Sequence, residues 1–260
     1  MLAALEQRRA IEEPVAVVVA HPDDETIAAG GSLHLMRRLL LVHVTDGAPR
    51  QLGDAAREGF DTPSAYAAAR ERELRDALEH SGAQPERVTL GVPDQEASAA
   101  IPQIADRLGA LFRAHGVRHV LTHAYEGGHP DHDAVALAVH LAGGAAIYEF
   151  AGYHAAPEGG MRTGVFLEPS PSGSGKDAEI VVTLSPQDLA RKRAMMACFR
   201  TQAKILSQFD PARERFRAAP AYDFTAPPHE GRLLYEEWGW MSGVEWRRSA
   251  RAALEGRCAA

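Results

Sequence analysis

A short apolar run near the start of the chain is the feature that most restricts its fold. Residues 14–20 contain no polar side chain, and such an unbroken run is typical of a strand buried on both faces of a parallel sheet. Similar runs follow and alternate with helical patterns, which predicts an α/β, Rossmann-like, doubly wound and mainly parallel sheet of order 3-2-1-4-5. The five predicted strands are residues 14–20, 39–45, 87–92, 117–122 and 145–150.

The segments between these runs are predicted to be helices, with Ser64 as the N-cap of the second helix and Gly82 as its end. Gly30 and Gly31 lie inside the first predicted helix, where each costs about 1 kcal/mol relative to alanine. This cost indicates that the helix closely approaches the sheet or a ligand. Residues 48–63 are predicted to form a loop over the site. The predicted helices are residues 26–38, 65–80, 99–115, 131–141 and 185–207.

The composition excludes several classes of protein. The formal net charge is −7, and no Lys/Arg-rich run is present, so we expect no nucleic-acid partner. Cys198 and Cys258 are the only cysteines, which argues against a disulfide framework and for a reducing compartment. The first 13 residues lack the pattern of a signal peptide, and no apolar stretch approaches the roughly 18 residues of a membrane span. We predict a soluble, cytoplasmic protein. The composition leaves the oligomeric state open, with a homo-oligomer as one alternative.

Two polar motifs follow the first and fourth predicted strands. The first is His21-Pro22-Asp23-Asp24-Glu25, and the second is Gly128-His129-Pro130-Asp131-His132. In the order 3-2-1-4-5 these two strands are neighbours, and the direction of winding reverses between them, which opens a crevice at their carboxyl ends. We therefore expect the two motifs, about a hundred residues apart in sequence, to meet in space.

The residue types in these motifs are those of a catalytic metal site. A catalytic zinc takes three protein ligands and leaves a fourth position for water. His21, one of the two adjacent aspartates, and one of His129 or His132 supply that number. The other aspartate would then act as general base, and the other histidine would donate to the oxyanion or the leaving group. The spacing alone does not assign the members of each pair, and capping of a helix without metal is the simpler alternative.

These motifs resemble those of the PIG-L/LmbE-like N-acetylglucosaminyl deacetylases, zinc hydrolases that remove acetyl groups from 2-acetamido sugars. The resemblance covers about residues 14–150. It also includes three further short motifs, which are Thr45-Asp46-Gly47, Arg70-Glu71-Arg72-Glu73 and Pro93-Asp94. It implies a zinc ion held by His21, Asp24 and His132. It further implies that Asp23 is the general base and that His129 is the electrophilic or acid partner.

Other residues are expected around that centre. The resemblance points to Arg70 and Asp94 as contacts of sugar hydroxyls, although a solvated helix face for Arg70 and a simple turn for Asp94 are equally good interpretations. Asp131 is a candidate to support an imidazole from behind. Glu25 is expected to be a first-turn carboxylate or a supporting acceptor rather than a ligand. Some members of the resembled family have a tyrosine just before the glycine that corresponds to Gly128, but no aromatic residue directly precedes Gly128 here. Stabilisation of the transition state by a tyrosine would therefore have to come from Tyr125.

The function expected from these features is metal-dependent removal of an acetyl group from the 2-acetamido group of an N-acetylglucosamine-type sugar or glycoconjugate. The expected cofactor is Zn²⁺, with Fe²⁺ as an alternative because both ions accept these ligands. The expected partner is therefore a small N-acetylated amino sugar or its conjugate. Two alternatives stay open: a metal-dependent hydrolase of another amide or ester, and a non-enzymatic Rossmann-like module that binds a small ligand.

The last third of the chain is less regular. Residues 164–167 and 179–184 predict two strands that flank a Ser/Gly/Pro-rich link at residues 169–176, as a hairpin or a sheet edge. The aromatic residues between 235 and 246 predict a C-terminal lid packed on the core, with a sugar-stacking platform as the alternative. We predict one domain, residues 1–260, with the α/β core in 14–150 and the additional strands, helix and lid in 151–260.

Overall fold

The computed structural model describes residues 1–167 and 179–258. Within these residues the strands are β1 (Val15–Val19), β2 (Leu39–Pro49), β3 (Glu86–Asp94), β4 (His119–His123), β5 (Ala146–Phe150), β6 (Tyr153–Ala155), β7 (Met161–Thr163), β8 (Ile180–Thr183) and β9 (Arg213–Ala218). The α-helices are α1 (Leu2–Glu6), α2 (Asp24–Ala29), α3 (Gly53–Arg57), α4 (Pro63–His80), α5 (Ile101–His115), α6 (Pro130–Ala142), α7 (Pro186–Cys198), α8 (Ala203–Leu206), α9 (Leu234–Glu237) and α10 (Gly243–Cys258).

The described strands form a mixed sheet in the order β3-β2-β1-β4-β5-β9-β8. Strands β1 to β5 pair with one another in parallel, whereas β9 runs antiparallel to both β5 and β8. The predicted order 3-2-1-4-5 is therefore confirmed, and it places β1 beside β4. Strands β6 and β7 form a separate antiparallel pair.

Strand β1 lies at the centre because its side chains are apolar on both faces. Val15, Val17 and Val19 pack in one hydrophobic cluster with residues of α2 and α4. The intervening Ala16 and Val18 pack in the other cluster, with residues of α5 and α6. Successive side chains of a strand point to opposite faces, so one continuous apolar run supplies both halves of the core. The polar motif that follows β1 is thereby fixed at the carboxyl edge of the sheet.

The prediction for the first helix was wrong in its extent. Helix α2 ends at Ala29, and a short 3₁₀ turn at Leu33–Leu35 replaces its predicted continuation. A Cβ atom on Gly31 would lie 2.4 Å from the side chain of Leu184, so a larger residue here would force that side chain to move. The buried ammonium of Lys192 donates to the carbonyl of Ile27, which holds the end of α2 against α7. The close approach expected from the glycines is thus to the C-terminal part of the chain.

Other boundaries also differ from the predictions. Strand β2 continues to Pro49, through the Asp46-Gly47 pair predicted as a turn. Helix α3 lies within the loop predicted at 48–63. Helix α4 begins two residues earlier than expected because Thr62, not Ser64, accepts the capping hydrogen bond from the backbone N–H of Ala65. The predicted helix 185–207 is divided, because α7 ends at Cys198 and α8 follows after a 3₁₀ turn.

The strand predicted at 164–167 was also wrong. Met161–Thr163 forms β7 and pairs with β6, while β8 pairs with β9 instead of with the preceding segment. Strand β9 was missed in the sequence because arginines occupy every second position and Glu214 stands on the other face, so Phe216 is its only large apolar residue. The link predicted at 169–176 lies outside the described residues.

Candidate metal centre and active site

The two polar motifs meet where the carboxyl ends of β1 and β4 lie side by side. The pairing of Val15 with His119 and of Val17 with Leu121 sets the register of these strands. Their following loops consequently bring the rings of His21 and His132 to a centroid distance of 5.2 Å. The histidine and aspartate side chains of both motifs are buried. The expected convergence of two distant motifs is thus present in the fold.

The first motif makes an unusual turn at Asp23. This residue has a φ of 126°, a region that a non-glycine residue adopts only when its surroundings compensate the strain. The carboxylate of Glu25 accepts a hydrogen bond from the backbone N–H of Asp23, and the guanidinium of Arg70 donates to the carbonyl of Pro22. Within the part of the chain that the structure describes, the Asp23 carboxylate makes no capping bond to α2. The helix-cap interpretation therefore does not account for this side chain.

Three side chains converge with the spacing of metal ligands. The Nδ1 atom of His21 lies 3.2 Å from the Nε2 atom of His132. The carboxylate of Asp24 lies 3.2 Å from the first atom and 3.3 Å from the second. Ligand atoms that are about 2.0–2.1 Å from a tetrahedral zinc are about 3.3–3.4 Å apart. The two nitrogens are thus spaced as ligands of one zinc-sized ion, and Asp24 approaches His21 through Oδ2 and His132 through Oδ1.

The outer nitrogen of His21 is held by two carboxylates. Its Nε2 atom lies 3.2 Å from Asp94 Oδ1 and 3.4 Å from Asp131 Oδ2. These acceptors favour a proton on Nε2, which leaves the lone pair of Nδ1 directed toward the candidate metal position. Burial alone would lower the pKa of His21, but the charge of Asp94 and the hydrogen bonds to the carboxylates outweigh it and raise this pKa well above its usual value. The centre therefore has a strongly negative potential that favours a cation.

The adjacent aspartates have opposite electrostatic environments. Burial would raise the pKa of Asp24, but the charges of His132 and His123 lower it well below its usual value. The pKa of Asp23 is raised well above its usual value, chiefly by burial and also by the charge of Asp24, although Arg70 opposes the shift. A carboxylate with a lowered pKa is suited to holding a cation, whereas one with a raised pKa is suited to accepting a proton. This difference favours Asp24 as ligand and Asp23 as base.

His129 differs from His132 although both belong to one motif. His129 is the N-cap of α6, and its Nδ1 atom accepts the backbone N–H of Asp131 at 3.1 Å. A neutral imidazole that accepts at Nδ1 carries its proton on Nε2, which lies 3.6 Å from Asp94 Oδ1. Burial, followed by the charge of His21, lowers the pKa of His129 well below its usual value. His129 thus presents a neutral N–H donor beside the candidate metal position.

His123 belongs to the same cluster, although it lies outside both polar motifs of the sequence. Its ring stacks on that of His132 at 4.0 Å, and its Nε2 atom accepts the backbone N–H of Ala20 at 2.9 Å. That hydrogen bond occupies the lone pair that a metal would need. His123 therefore fixes the end of β1 and the ring of His132. Its position near the end of the fourth predicted strand, five residues before Gly128, was the available sequence signal.

The supporting residues lie behind the ligands. Glu25 is fully buried, and its carboxylate contacts His43 Nε2 at 3.0 Å in addition to the Asp23 backbone. Asp131 contacts His21 and accepts the backbone N–H groups of Gln95 and Ala97. These bonds join the end of β3 to the start of α6. Both carboxylates consequently hold the loops that carry the candidate ligands.

The two residues expected to contact sugar are also at the centre. Arg70 is only 3% exposed, so it does not lie on a solvated helix face. Its guanidinium donates to the carbonyls of Gly47 and Pro22 and to Asp23 Oδ2 at 3.2 Å. Asp94 faces His21 and His129, and the pKa of Asp94 is lowered because the charge and hydrogen bond of His21 outweigh its burial. Arg70 therefore supports the strained turn and the carboxylate of Asp23.

The tyrosine beside the centre is not the one considered from the sequence. The hydroxyl of Tyr125 donates to the carbonyl of Ala226, and its ring stacks on Trp246 at 5.2 Å. Tyr153, from β6, instead packs edge-on against His132 at 5.1 Å. No pattern in the sequence indicated this contact, because Tyr153 follows the fifth strand and reaches the site only through the β6–β7 pair.

Residues 16–142 of the chain match the family model described as PIG-L: GlcNAc-PI de-N-acetylase. The chain is also 32% identical over 133 residues to the probable N-acetyl-alpha-D-glucosaminyl L-malate deacetylase 2 of Bacillus cereus. This match covers 50% of the chain and 60% of the length of that relative. The resemblance seen in the motifs is thus confirmed over the α/β core.

Solved structures extend the similarity of fold beyond that region. The zinc-inhibited form of the teicoplanin deacetylase Orf2 has a TM-score of 0.59 at 15% identity, over 81% of this chain and 99% of that one. The N,N'-diacetylchitobiose deacetylase of Pyrococcus horikoshii has a TM-score of 0.53 at 16% identity, over 80% of this chain and 84% of that one. At 15–16% identity, these similarities show a shared fold and nothing more specific. Separately, none of the helices in the described residues is both long and apolar enough to cross a membrane.

Proposed function

We propose that this chain, in which residues 16–142 match the PIG-L family, is a metal-dependent hydrolase that removes the acetyl group from the 2-acetamido group of an N-acetylglucosamine-type sugar or its conjugate. One observation carries the proposal: donor atoms of His21, Asp24 and His132 lie 3.2–3.3 Å apart beside the buried carboxylate of Asp23. The names of the curated relative and of the structural neighbours support the choice of substrate class.

Each residue of the site has a separate role in the proposed hydrolysis. A Zn²⁺ or Fe²⁺ ion held by His21, Asp24 and His132 would polarise the amide carbonyl and acidify the attacking water. Asp23 accepts the proton of that water, a role that the raised pKa of its buried carboxyl favours. The Nε2–H group of His129 donates to the carbonyl oxygen as negative charge develops there. The C–N bond then breaks as the leaving nitrogen takes up the proton that Asp23 removed from the water, which gives acetate and the free amine and returns Asp23 to its carboxylate form.

The neutrality of His129 matters for this mechanism. An imidazolium beside His21 would repel both that ring and a bound cation, whereas a neutral imidazole can donate a hydrogen bond without adding charge. The N-cap position of His129 on α6 fixes its Nδ1 atom as an acceptor. We therefore assign to His129 the electrophilic role, and to Asp94 the orientation of His21 and His129. A direct contact of Asp94 or Arg70 with sugar hydroxyls stays a prediction, as do the cytoplasmic location and the oligomeric state.

The proposal is tested by two measurements on the same preparation. Protein loaded separately with Zn²⁺ and Fe²⁺ is assayed for bound metal and for acetate release from N-acetylglucosamine, N,N'-diacetylchitobiose and N-acetyl-glucosaminyl malate. Metal-dependent acetate release is the expected result. Bound metal with hydrolysis only of other amides or esters would replace the proposal with the first alternative. If the protein neither binds metal nor hydrolyses any of these compounds, the second alternative, a module that binds a small ligand, replaces the proposal.

Asp23→Asn tests the assignment of the base. The amide cannot accept the proton of water, so kcat should fall by about 10²- to 10⁴-fold while the bound metal stays near one ion per chain. Asp76→Asn, on the exposed face of α4, is the matched control and should keep the kcat of the unmodified protein. A kcat of Asp23→Asn within a few-fold of that value would remove Asp23 as the base.

A further inference from the structure

Two tryptophans stand exposed at the rim of the candidate metal centre. Trp238 is 39% and Trp240 is 37% exposed, whereas Tyr235 and Trp246 on either side of them are fully buried. The ring of Trp240 lies 4.7 Å from that of His129, measured between centroids. The Trp240 indole therefore packs directly against His129, a residue of the proposed catalytic machinery. The predicted lid is thus divided into a buried part that packs and an exposed part that faces the crevice.

The exposed pair is held by a firmly anchored segment. The backbone N–H of Leu234 donates to the carbonyl of Gly127, and the indole N–H of Trp246 donates to the carbonyl of Pro130. The carboxylate of Glu236 accepts the backbone N–H groups of Leu233 and Gly243 and so closes the turn between α9 and α10. Both ends of the segment are consequently tied to the loop that carries His129. The two indoles are held in position relative to the centre.

The pair forms a continuous aromatic surface that leads into the site. Trp238 and Trp240 meet at 66° with their centroids 4.7 Å apart. Trp238 also lies 6.1 Å from Tyr153, whose ring contacts His132. The surface therefore borders both histidines of the second motif, whose Nε2 atoms lie 3.6 Å from Asp94 Oδ1 and 3.3 Å from Asp24 Oδ1, respectively. Exposure of two indoles to water costs free energy, and a ligand that covers them would recover it.

We infer that Trp238 and Trp240 form an aromatic wall against which the sugar ring of the substrate binds, and that this wall selects a pyranose over a simple amide. The inference rests on the proposed function and adds to it the residues that recognise the non-reacting part of the substrate. The ring is bonded to the amide nitrogen, so a carbonyl beside His129 places the ring within a few ångströms of it. Trp240, 4.7 Å from His129 between ring centroids, borders that position.

A sugar fits this combination of surfaces better than an acyl chain does. A pyranose has C–H faces that pack on a flat indole and hydroxyl edges that need carboxylates. An aliphatic chain would instead need a groove of aliphatic side chains. In the described part of the chain, the other exposed large apolar side chains are Leu52, Val181 and Val244, which are far apart in sequence, whereas the two exposed tryptophans are in contact with each other. The aromatic wall therefore faces the sugar.

The test separates sugar binding from turnover. Binding of N-acetylglucosamine is measured by calorimetry in the metal-loaded Asp23→Asn protein, alone and with Trp240→Ala, Trp240→Phe or Trp238→Ala. Steady-state kinetics are measured with the same tryptophan variants in the active protein. Trp240→Ala should weaken binding and raise KM by about five- to tenfold with little change in kcat, because the wall contributes equally to the ground state and the transition state. Trp240→Phe should restore most of the affinity.

The controls make each outcome decisive. Val244→Ala removes an exposed side chain from the adjacent helix and should leave binding unchanged. The inference is wrong if Trp238→Ala and Trp240→Ala both keep the affinity for the sugar. It is also wrong if the metal-loaded Asp23→Asn protein does not bind the sugar. If Trp240→Ala loses more affinity for N-butanoylglucosamine than for N-acetylglucosamine, the wall contacts the acyl chain, and the inference that it binds the sugar ring is wrong. Tryptophan-dependent sugar binding without any acetate release would support the wall while refuting the proposed hydrolysis.

Discussion

At the scale of single residues, neighbouring hydrogen bonds distinguish side chains that look equivalent in sequence. His129 and His132 are three positions apart in one motif, yet the backbone of Asp131 uses the Nδ1 atom of the first. His132 instead directs Nε2 toward His21 and Asp24. Asp23 and Asp24 are separated in the same way, because Arg70 contacts one carboxylate and His132 the other. Partners, not residue types, therefore set the proposed roles.

His132→Ala tests the ligand set at this scale. Removal of one of three protein ligands should lower the bound metal at least tenfold, and it should abolish the rise in Tm that metal addition gives to the unmodified protein. Metal analysis and thermal unfolding with and without Zn²⁺ measure these effects. His80→Ala, at an exposed position of α4, should behave like the unmodified protein. Full metal occupancy in His132→Ala would show that His132 is not a ligand.

At the scale of secondary-structure elements, the site depends on close contacts between loops. The loop before α6 passes directly over the β6–β7 pair, and a Cβ atom on Gly128 would lie 1.9 Å from the backbone oxygen of Tyr153. Such a contact with backbone cannot be relieved by a side-chain rotation. The glycine before His129 is therefore required by packing, and it allows Tyr153 to reach His132.

Gly128→Ala is expected to disturb this junction. The overlap should lower the free energy of unfolding by about 3 kcal/mol, which for a chain of this size corresponds to a fall in Tm of about 6–10 °C. It should also weaken metal binding by displacing the second motif. Gly53→Ala is the control, because no described atom lies within 4 Å of its added Cβ position. Equal Tm values for the two variants would contradict the packing argument.

At the scale of the whole molecule, buried charges join the C-terminal third to the α/β core. Lys192 of α7 pairs with Glu214 of β9 at 3.0 Å, and that carboxylate also accepts the backbone N–H of Gly31. Arg217 of β9 pairs with Glu149 of β5 at 2.9 Å and lies 4.0 Å from Glu126. Loss of one partner of a buried pair is costly because it leaves a charge without compensation. These pairs therefore fix β9 and α7 relative to the core.

Glu126 makes the stability of the molecule depend on pH. Burial raises the pKa of its carboxyl from 4.5 to about 8. The folded protein then holds a proton that the unfolded chain releases, so the free energy of unfolding falls as the pH rises through this window. Between pH 6 and pH 8 the loss amounts to about 2 kcal/mol, or about 5 °C in Tm.

Glu126→Gln removes this titration while keeping the acceptor for the backbone N–H of Leu167. Thermal unfolding from pH 6 to pH 8.5 should show a smaller decrease in Tm than the unmodified protein shows. Glu58→Gln, at an exposed position after α3, should leave the decrease unchanged. The same pH dependence in Glu126→Gln and in the unmodified protein would exclude Glu126 as its source.

The sequence by itself determined the central sheet and the place of the site. An apolar run such as Val15–Val19 can be satisfied only by burial on both faces, so local composition was sufficient to predict the parallel strands. Because strand order follows general rules of winding, the positions of His21 and His132 after neighbouring strands predicted that they would meet. Their mutual distances agree with that prediction.

Only the tertiary structure decided which atoms face one another and what surrounds them. The contact of Tyr153 with His132, the burial of Arg70 against Asp23, and the exposure of Trp238 and Trp240 at the rim all join segments far apart in sequence. The end of α2 likewise depends on Leu184 and Lys192. Local patterns report burial and periodicity, whereas these features depend on packing between distant elements, which leaves no periodic signal in either segment.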